Sequence, residues 1–88
     1  MYGLTSQFRR AAVSVAANIA EGYGKRSKPD KLRFFNISQG SIDECQYYVI
    51  LSKDLEYINN EACLKMEEKL EDVSKLLNGY YRAIKADM

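Results

Sequence analysis

The stretch Gly22-Tyr23-Gly24-Lys25-Arg26-Ser27-Lys28-Pro29 places an aromatic ring beside three cations, in a segment whose glycines and proline interrupt helical patterning. Cations that neutralise phosphates and a ring that stacks on a base are the elements from which single-stranded nucleic-acid contacts are built. Lys31 and Arg33 follow at once, and Arg82 and Lys85 lie near the other end of the sequence. Tyr23, Lys25, Arg26, Lys28, Lys31, Arg33, Arg82 and Lys85 are therefore the candidate nucleic-acid contacts. The competing reading is solvated charge that complements another subunit. A basic patch without a base-reading motif does not choose between them.

A second group is structural. Arg9 and Arg10 fall on a helix that should lie level with residues 39–44 of the next one. One arginine is predicted to pair with Glu44, or with Asp43, partly buried in the bundle. Asn18 and Glu21 complete this candidate polar network.

Catalytic and metal chemistry find little support. The chain has no histidine and two cysteines, Cys45 and Cys63, without a CxxC element, so a conventional zinc site is not expected. Both cysteines fall at apolar helical positions, where a free thiol packs as a small hydrophobe. No Walker loop or GxGxxG is present, and the serines lack a histidine base. The carboxylates Glu67, Glu68, Glu71 and Asp72 lie opposite Met66, Leu70 and Val73 and read as a solvated helix face. No enzyme and no cofactor are predicted.

These residues must be held by helices. One proline and five glycines leave few breaks in 88 residues, enough for one domain over 1–88. Helix A is predicted over about 5–21, with Thr5 as N-cap and Gly22 as the residue that ends it. Leu4, Phe8, Ala11, Ala12, Val15 and Ile19 form its apolar stripe, and its many alanines suit a central position against several neighbours. Helix B is predicted over about 28–56, capped by Ser27 with Pro29 in the first turn. It carries two apolar stripes: Phe35, Ile42, Cys45 and Val49, then Ile37, Tyr48, Leu51 and Leu55. Gly40 in its middle implies close approach of another backbone. Helix C is predicted over about 60–86, capped by Asn59. A short B–C connection makes an antiparallel hairpin, and the whole is an all-α, antiparallel up-down helical bundle.

The net charge of +1 conceals an asymmetry. Residues 1–33 hold seven basic and two acidic side chains, net +5, whereas residues 43–72 hold nine acids and three lysines, net −6. One pole of the bundle is basic and the rest of the B–C hairpin is acidic. No apolar run approaches the roughly 20 residues that span a bilayer, and the start lacks a signal-peptide layout. The expectation is a cytoplasmic protein with no membrane contact.

The run Leu4–Gln7 (LTSQ), Arg9–Ala11, Asn18–Gly22 (NIAEG) and Lys25–Arg26, with Gly40-Ser41-Ile42-Asp43-Glu44 and the later Leu51–Ile58 (LSKDLEYI), resembles the four-helix-bundle proteins encoded within 23S rRNA intervening sequences. The likeness spans essentially the whole chain. It implies a bundle that assembles as a homo-oligomeric ring, typically a pentamer. Relatives implied by the resemblance include the accessory protein of diversity-generating retroelements, which partners a reverse transcriptase and binds nucleic acid through a basic surface. Two departures stand out. Ala16-Ala17 replaces a frequent Pro-Ser and should straighten helix A. The family's first amphipathic helix, before the LTSQ segment, is missing here, so three helices should present an apolar face in need of a partner.

The expectation is thus a non-enzymatic oligomeric helical protein with an RNA- or DNA-contacting basic pole. The alternative is a protein–protein adaptor whose apolar face accepts a partner helix, without nucleic-acid binding.

Overall fold

The computed structural model describes residues 2–88. They form α1 (Tyr2–Gly24), α2 (Lys28–Asp54) and α3 (Asn60–Ala86), with no strand among the described residues. Local signals explain most boundaries. The Ser27 side chain accepts from the Asp30 amide, and Pro29 sits in the first turn of α2, where a missing N–H costs nothing. Asn59 accepts from the Ala62 amide at 2.8 Å and opens α3.

Three predicted ends move. Helix α1 begins at Tyr2 and continues through Gly24, so Thr5 is inside the helix and Gly22 does not end it. Without a proline at 16–17, α1 runs unbroken. The predicted loop shrinks to Lys25-Arg26-Ser27, and Tyr23 is helical. Helix α2 stops at Asp54 rather than residue 56. Glu56 adopts φ 62°, the Tyr57 amide donates to the Ser52 carbonyl at 2.8 Å, and the Glu56 amide donates to Lys53 at 2.9 Å. This is a Schellman stop, with glutamate in the left-handed position that glycine usually fills.

The central helix is α2, not the alanine-rich α1. Among the described residues no α1 Cα comes within 8 Å of an α3 Cα, while α2 contacts both. Ser14 meets Ser41, Val15 meets Ser38 and Gly22 meets Phe35, so positions rise along α1 as they fall along α2. Gln39 meets Ser74 and Lys28 meets Asp87 with the same opposed sense between α2 and α3. The bundle measures 45 × 21 × 13 Å, a slab with α2 along its middle.

The core is the first predicted stripe of α2. Phe35, Ile42, Cys45 and Val49 are all buried, with Leu77 from α3 beside them. Val15 and Ile19 pack in from α1, and Leu70, Val73, Tyr81 and Ile84 from α3. Both neighbours use this one stripe. The second is only partly covered: Ile37 is 42% and Leu55 50% exposed, while Tyr48 and Leu51 are half-buried. Gly40 faces open space: a Cβ added there would meet nothing within 4 Å, so no backbone approaches it within the chain. Gly22 has the close contact instead, against Phe34 and Phe35.

Candidate functional site

Two features can bind something: a basic pole and an apolar groove. The pole lies where the end of α1, the start of α2 and the end of α3 meet. Lys28 Nζ donates to Asp87 Oδ2 at 2.6 Å and to its carbonyl at 2.9 Å, tying α2 to α3. This ammonium holds the Asp87 carboxyl below the usual carboxylate range. Lys31 Nζ donates to the Tyr23 carbonyl at 2.7 Å and to that of Gly22 at 3.4 Å. It caps the negative end of α1, where a cation is favoured by the unpaired carbonyls. Lys31 also stands 5.6 Å from the centre of the Tyr23 ring.

Phe34 takes two more of the cations, with Lys25 at 5.0 Å and Arg33 at 4.7 Å from its ring centre. Lys25 additionally lies 3.7 Å from Glu21. Lys85 sits over Tyr81 at 6.0 Å. Arg26 and Arg82 are exposed and have no ion-pair partner among the described residues. Lys25 and Arg33 thus lie over Phe34 and Lys31 near Tyr23, while Lys28 and Lys31 are engaged in holding helix ends together.

The polar network is only partly the predicted one. Asn18 Nδ2 donates to the Ser14 carbonyl at 2.8 Å and to its hydroxyl at 3.1 Å. The Ser14 and Ser41 hydroxyls lie 2.8 Å apart, and the buried Ser38 hydroxyl donates to the Val15 carbonyl at 2.9 Å. Glu21 takes Lys25 rather than an arginine. The predicted arginine–Glu44 pair is not formed: among the described residues no ion pair joins Arg9 or Arg10 to Asp43 or Glu44. Arg10 Nη2 instead donates to Gln7 at 2.7 Å, and Asp43 accepts from Gln39. The predicted register holds, because Arg10 and Glu44 line one small recess with Ser14 and Ser41. All four charged groups are exposed, where water competes with an ion pair. Ser38 and Ser41 had a sequence signal in their place on the core row of α2, between Phe35 and Ile42.

The groove runs between α1 and α3, with α2 as its floor. Ala16, Ile19, Ala20 and Tyr23 form one wall, Val73, Leu76 and Tyr80 the other, and Phe35 the floor, around about 600 Å³. A smaller hollow, of about 150 Å³, lies between Leu4 and Phe8 of α1 and Met66 of α3, over Val49. Tyr23, Leu76 and Tyr80 are 79%, 66% and 61% exposed, which is far outside ordinary core behaviour. Both thiols are buried, and burial pushes each up, with Glu44 adding at Cys45 and Glu67, 3.3 Å from the sulfur, at Cys63.

An all-α chain with this Asn-Ile-Ala-Glu-Gly helix matches the family model of the 23S rRNA-intervening sequence protein over residues 1–79. The chain belongs to that family. A crystallised family relative supports the assignment: a protein of unknown function from the S23 ribosomal protein family of Bacteroides thetaiotaomicron. It superimposes with a TM-score of 0.85 at 27% identity, over 89% of this chain and 72% of its own. No curated protein matches the chain. Within this family member, no helix among the described residues is long and apolar enough to cross a membrane.

Proposed function

We propose that this 23S rRNA-intervening sequence family member is a non-enzymatic assembly module that associates with a helix of another chain through the α1/α3 groove. The observation that carries this is the unfilled apolar groove, whose walls expose Tyr23, Leu76 and Tyr80 while α1 and α3 stay apart. Burial of apolar area stabilises by about 25 cal/mol per Å², so covering such a trough with a complementary helix drives association. The resemblance to ring-forming relatives points the same way. Sedimentation of the purified chain tests it. An oligomer is expected, and Ala16→Glu, which sets a charge in the groove wall, should leave a 10.1 kDa monomer of unchanged helicity. A wild-type chain that sediments as a monomer, or an oligomer indifferent to Ala16→Glu, sinks the reading.

A second reading is favoured by the unpaired Arg26 and Arg82 at the basic pole: contact with RNA or DNA phosphates, multiplied by assembly. Binding to a single-stranded RNA should fall steeply with salt and weaken in Arg26→Glu/Arg82→Glu. These residues are the right ones to change because neither holds a helix end. Binding that ignores both salt and these substitutions ends this reading.

A further inference from the structure

The outer side of the α2–α3 hairpin, turned away from the groove, carries an exposed apolar patch. Asp43, Tyr47, Ile50 and Asp54 recur at steps of four, three and four along α2, so they share one face. On α3, Leu64 and Glu67 each stand nine positions before a groove-lining residue, Val73 and Leu76. At about 100° per residue, nine positions lead to the opposite side of a helix. The register set by Gln39 opposite Ser74 brings Ile50 level with Cys63 and Leu64. Tyr47, Ile50 and Leu64 are 61%, 47% and 57% exposed. A helix face made only for water is polar throughout, and this one is not.

Carboxylates ring the patch. Asp43 and Asp54 close its two ends along α2, and Glu67 stands beside Leu64 on α3. Glu67 accepts from the Cys63 thiol at 3.3 Å. Burial raises that thiol first, and Glu67 and Asp54 add to it, so both carboxylates flank one buried sulfur. Among the described residues none of the three carboxylates forms an ion pair. Asp54 is also the last residue of α2, where the unpaired carbonyls disfavour an anion. The acidic patch and the basic pole thus sit at opposite ends of α2, and the patch holds negative charge that the chain itself does not pair.

We propose that this face docks a cationic amphipathic helix of another protein. Its apolar side chains rest on Tyr47, Ile50 and Leu64, and its lysines or arginines stand opposite Asp43, Asp54 and Glu67. The shallow channel between two antiparallel helices guides a third along it. From Asp43 to Asp54 the rise is about 16 Å, so about three turns of the incoming helix span the patch. Tyr48 meets the Tyr47 ring edge-on, with centres 5.6 Å apart, and the exposed Tyr47 ring offers a surface to a guanidinium. Charge chooses the partner: a helix of acidic flanks is repelled by the same three carboxylates that steer a basic one in. Because this channel and the α1/α3 groove lie on opposite sides of the hairpin, the module can hold a partner at each.

Titration calorimetry with a synthetic peptide tests this: a helix of about 14 residues made of leucine and arginine, the leucines at steps of three and four. The full chain should bind it at low salt, and roughly 0.5 M salt should weaken binding about tenfold. Asp43→Lys/Asp54→Lys should weaken it about tenfold at low salt, and Ile50→Gln/Leu64→Gln about tenfold at either salt. All four positions are exposed, so helicity by circular dichroism should not change. Glu44→Lys/Asp72→Lys makes the same change of charge on helix edges turned away from the channel, and should cost less than about threefold. An equal loss there would mean that the peptide merely follows net charge, and the proposal falls. It falls also if the wild type does not bind. Binding abolished by Ala16→Glu but kept in Ile50→Gln/Leu64→Gln would place the peptide in the groove instead. Self-association lost in Ile50→Gln/Leu64→Gln would place a second copy on the patch, and either result overturns the assignment.

Discussion

Gly22 lies directly beneath the Phe35 ring: a Cβ added there would stand 2.7 Å from Phe35 Cε1 and 2.9 Å from Cδ1. The absent side chain lets α1 and α2 close over the core at the floor of the groove. Gly22→Ala should therefore destabilise the fold by about 1–3 kcal/mol through overpacking, although alanine favours the helix by about 1 kcal/mol. Urea unfolding measures it, and Phe35→Leu in the same chain should recover part of the loss. A neutral or stabilising Gly22→Ala would contradict the packing.

Glycine at position 56 should act in the opposite direction. Glu56 holds φ 62° at the end of α2 while both carbonyls it helps to satisfy are already bonded. Glu56→Gly keeps those bonds and removes the steric cost of a Cβ in the left-handed region. A gain of about 0.5–1 kcal/mol is expected in thermal unfolding. A loss would mean that the glutamate side chain contributes something the backbone geometry does not reveal.

Ser38 is fully buried, and its hydroxyl donates to the Val15 carbonyl across the α1–α2 contact. Ser38→Ala removes that bond without leaving a buried donor behind, so the cost should be modest, about 1 kcal/mol. Ser38→Val keeps no hydroxyl and adds bulk between two close helices, and it should cost more. Chemical denaturation of the pair checks the order.

The Lys28–Asp87 link gives one end of the bundle an acid-sensitive clasp. Its carboxyl is held below the ordinary value near 3.8, so the stabilisation is present above that value and is lost as pH falls through the lowered one. Protection of the last-turn amides of α3, taken relative to the intrinsic exchange rate at each pH, should fall below about pH 4 in the wild type. Lys28→Met should already show low protection at neutral pH, with little further change on acidification. Equal acid response in both would show that the clasp does not order the terminus.

The thiols report the core. Cys45 and Cys63 are buried with raised pKa values, so the stability linked to them is present below the ordinary thiol value, near 9.0, and is lost as pH rises beyond it. At pH 8 a thiol reagent should label the native chain only as fast as the bundle opens. Labelling should therefore accelerate with urea in step with loss of helicity. Rapid labelling of Cys45 in the folded protein would contradict the packing of α2.

The three helices, the caps at Ser27 and Asn59, and the buried row Phe35–Ile42–Cys45–Val49 were all legible in the residues. Such signals act within one or two turns: a side chain reaches an amide three residues away, and a stripe repeats every three or four positions. Gly22 was legible as a special position but misread as a stop, because the same absent side chain serves a turn or a close contact. The site was less legible. Arg9, Arg10 and Glu44 fell in the right register, yet exposure leaves an intrahelical Gln7 contact as good as a bridge across the recess.

By itself, then, the sequence determined what each segment would be, which rows are apolar, where charge accumulates and which family the chain joins. Only the tertiary structure decided that α2 rather than α1 lies in the middle and that Lys28 and Lys31 fasten helix ends. It alone showed that α1 and α3 part to leave a trough over Phe35. The reason is physical. Local propensity depends on neighbours along the chain, whereas the choice of partner helix depends on small differences between summed contacts from residues far apart in sequence.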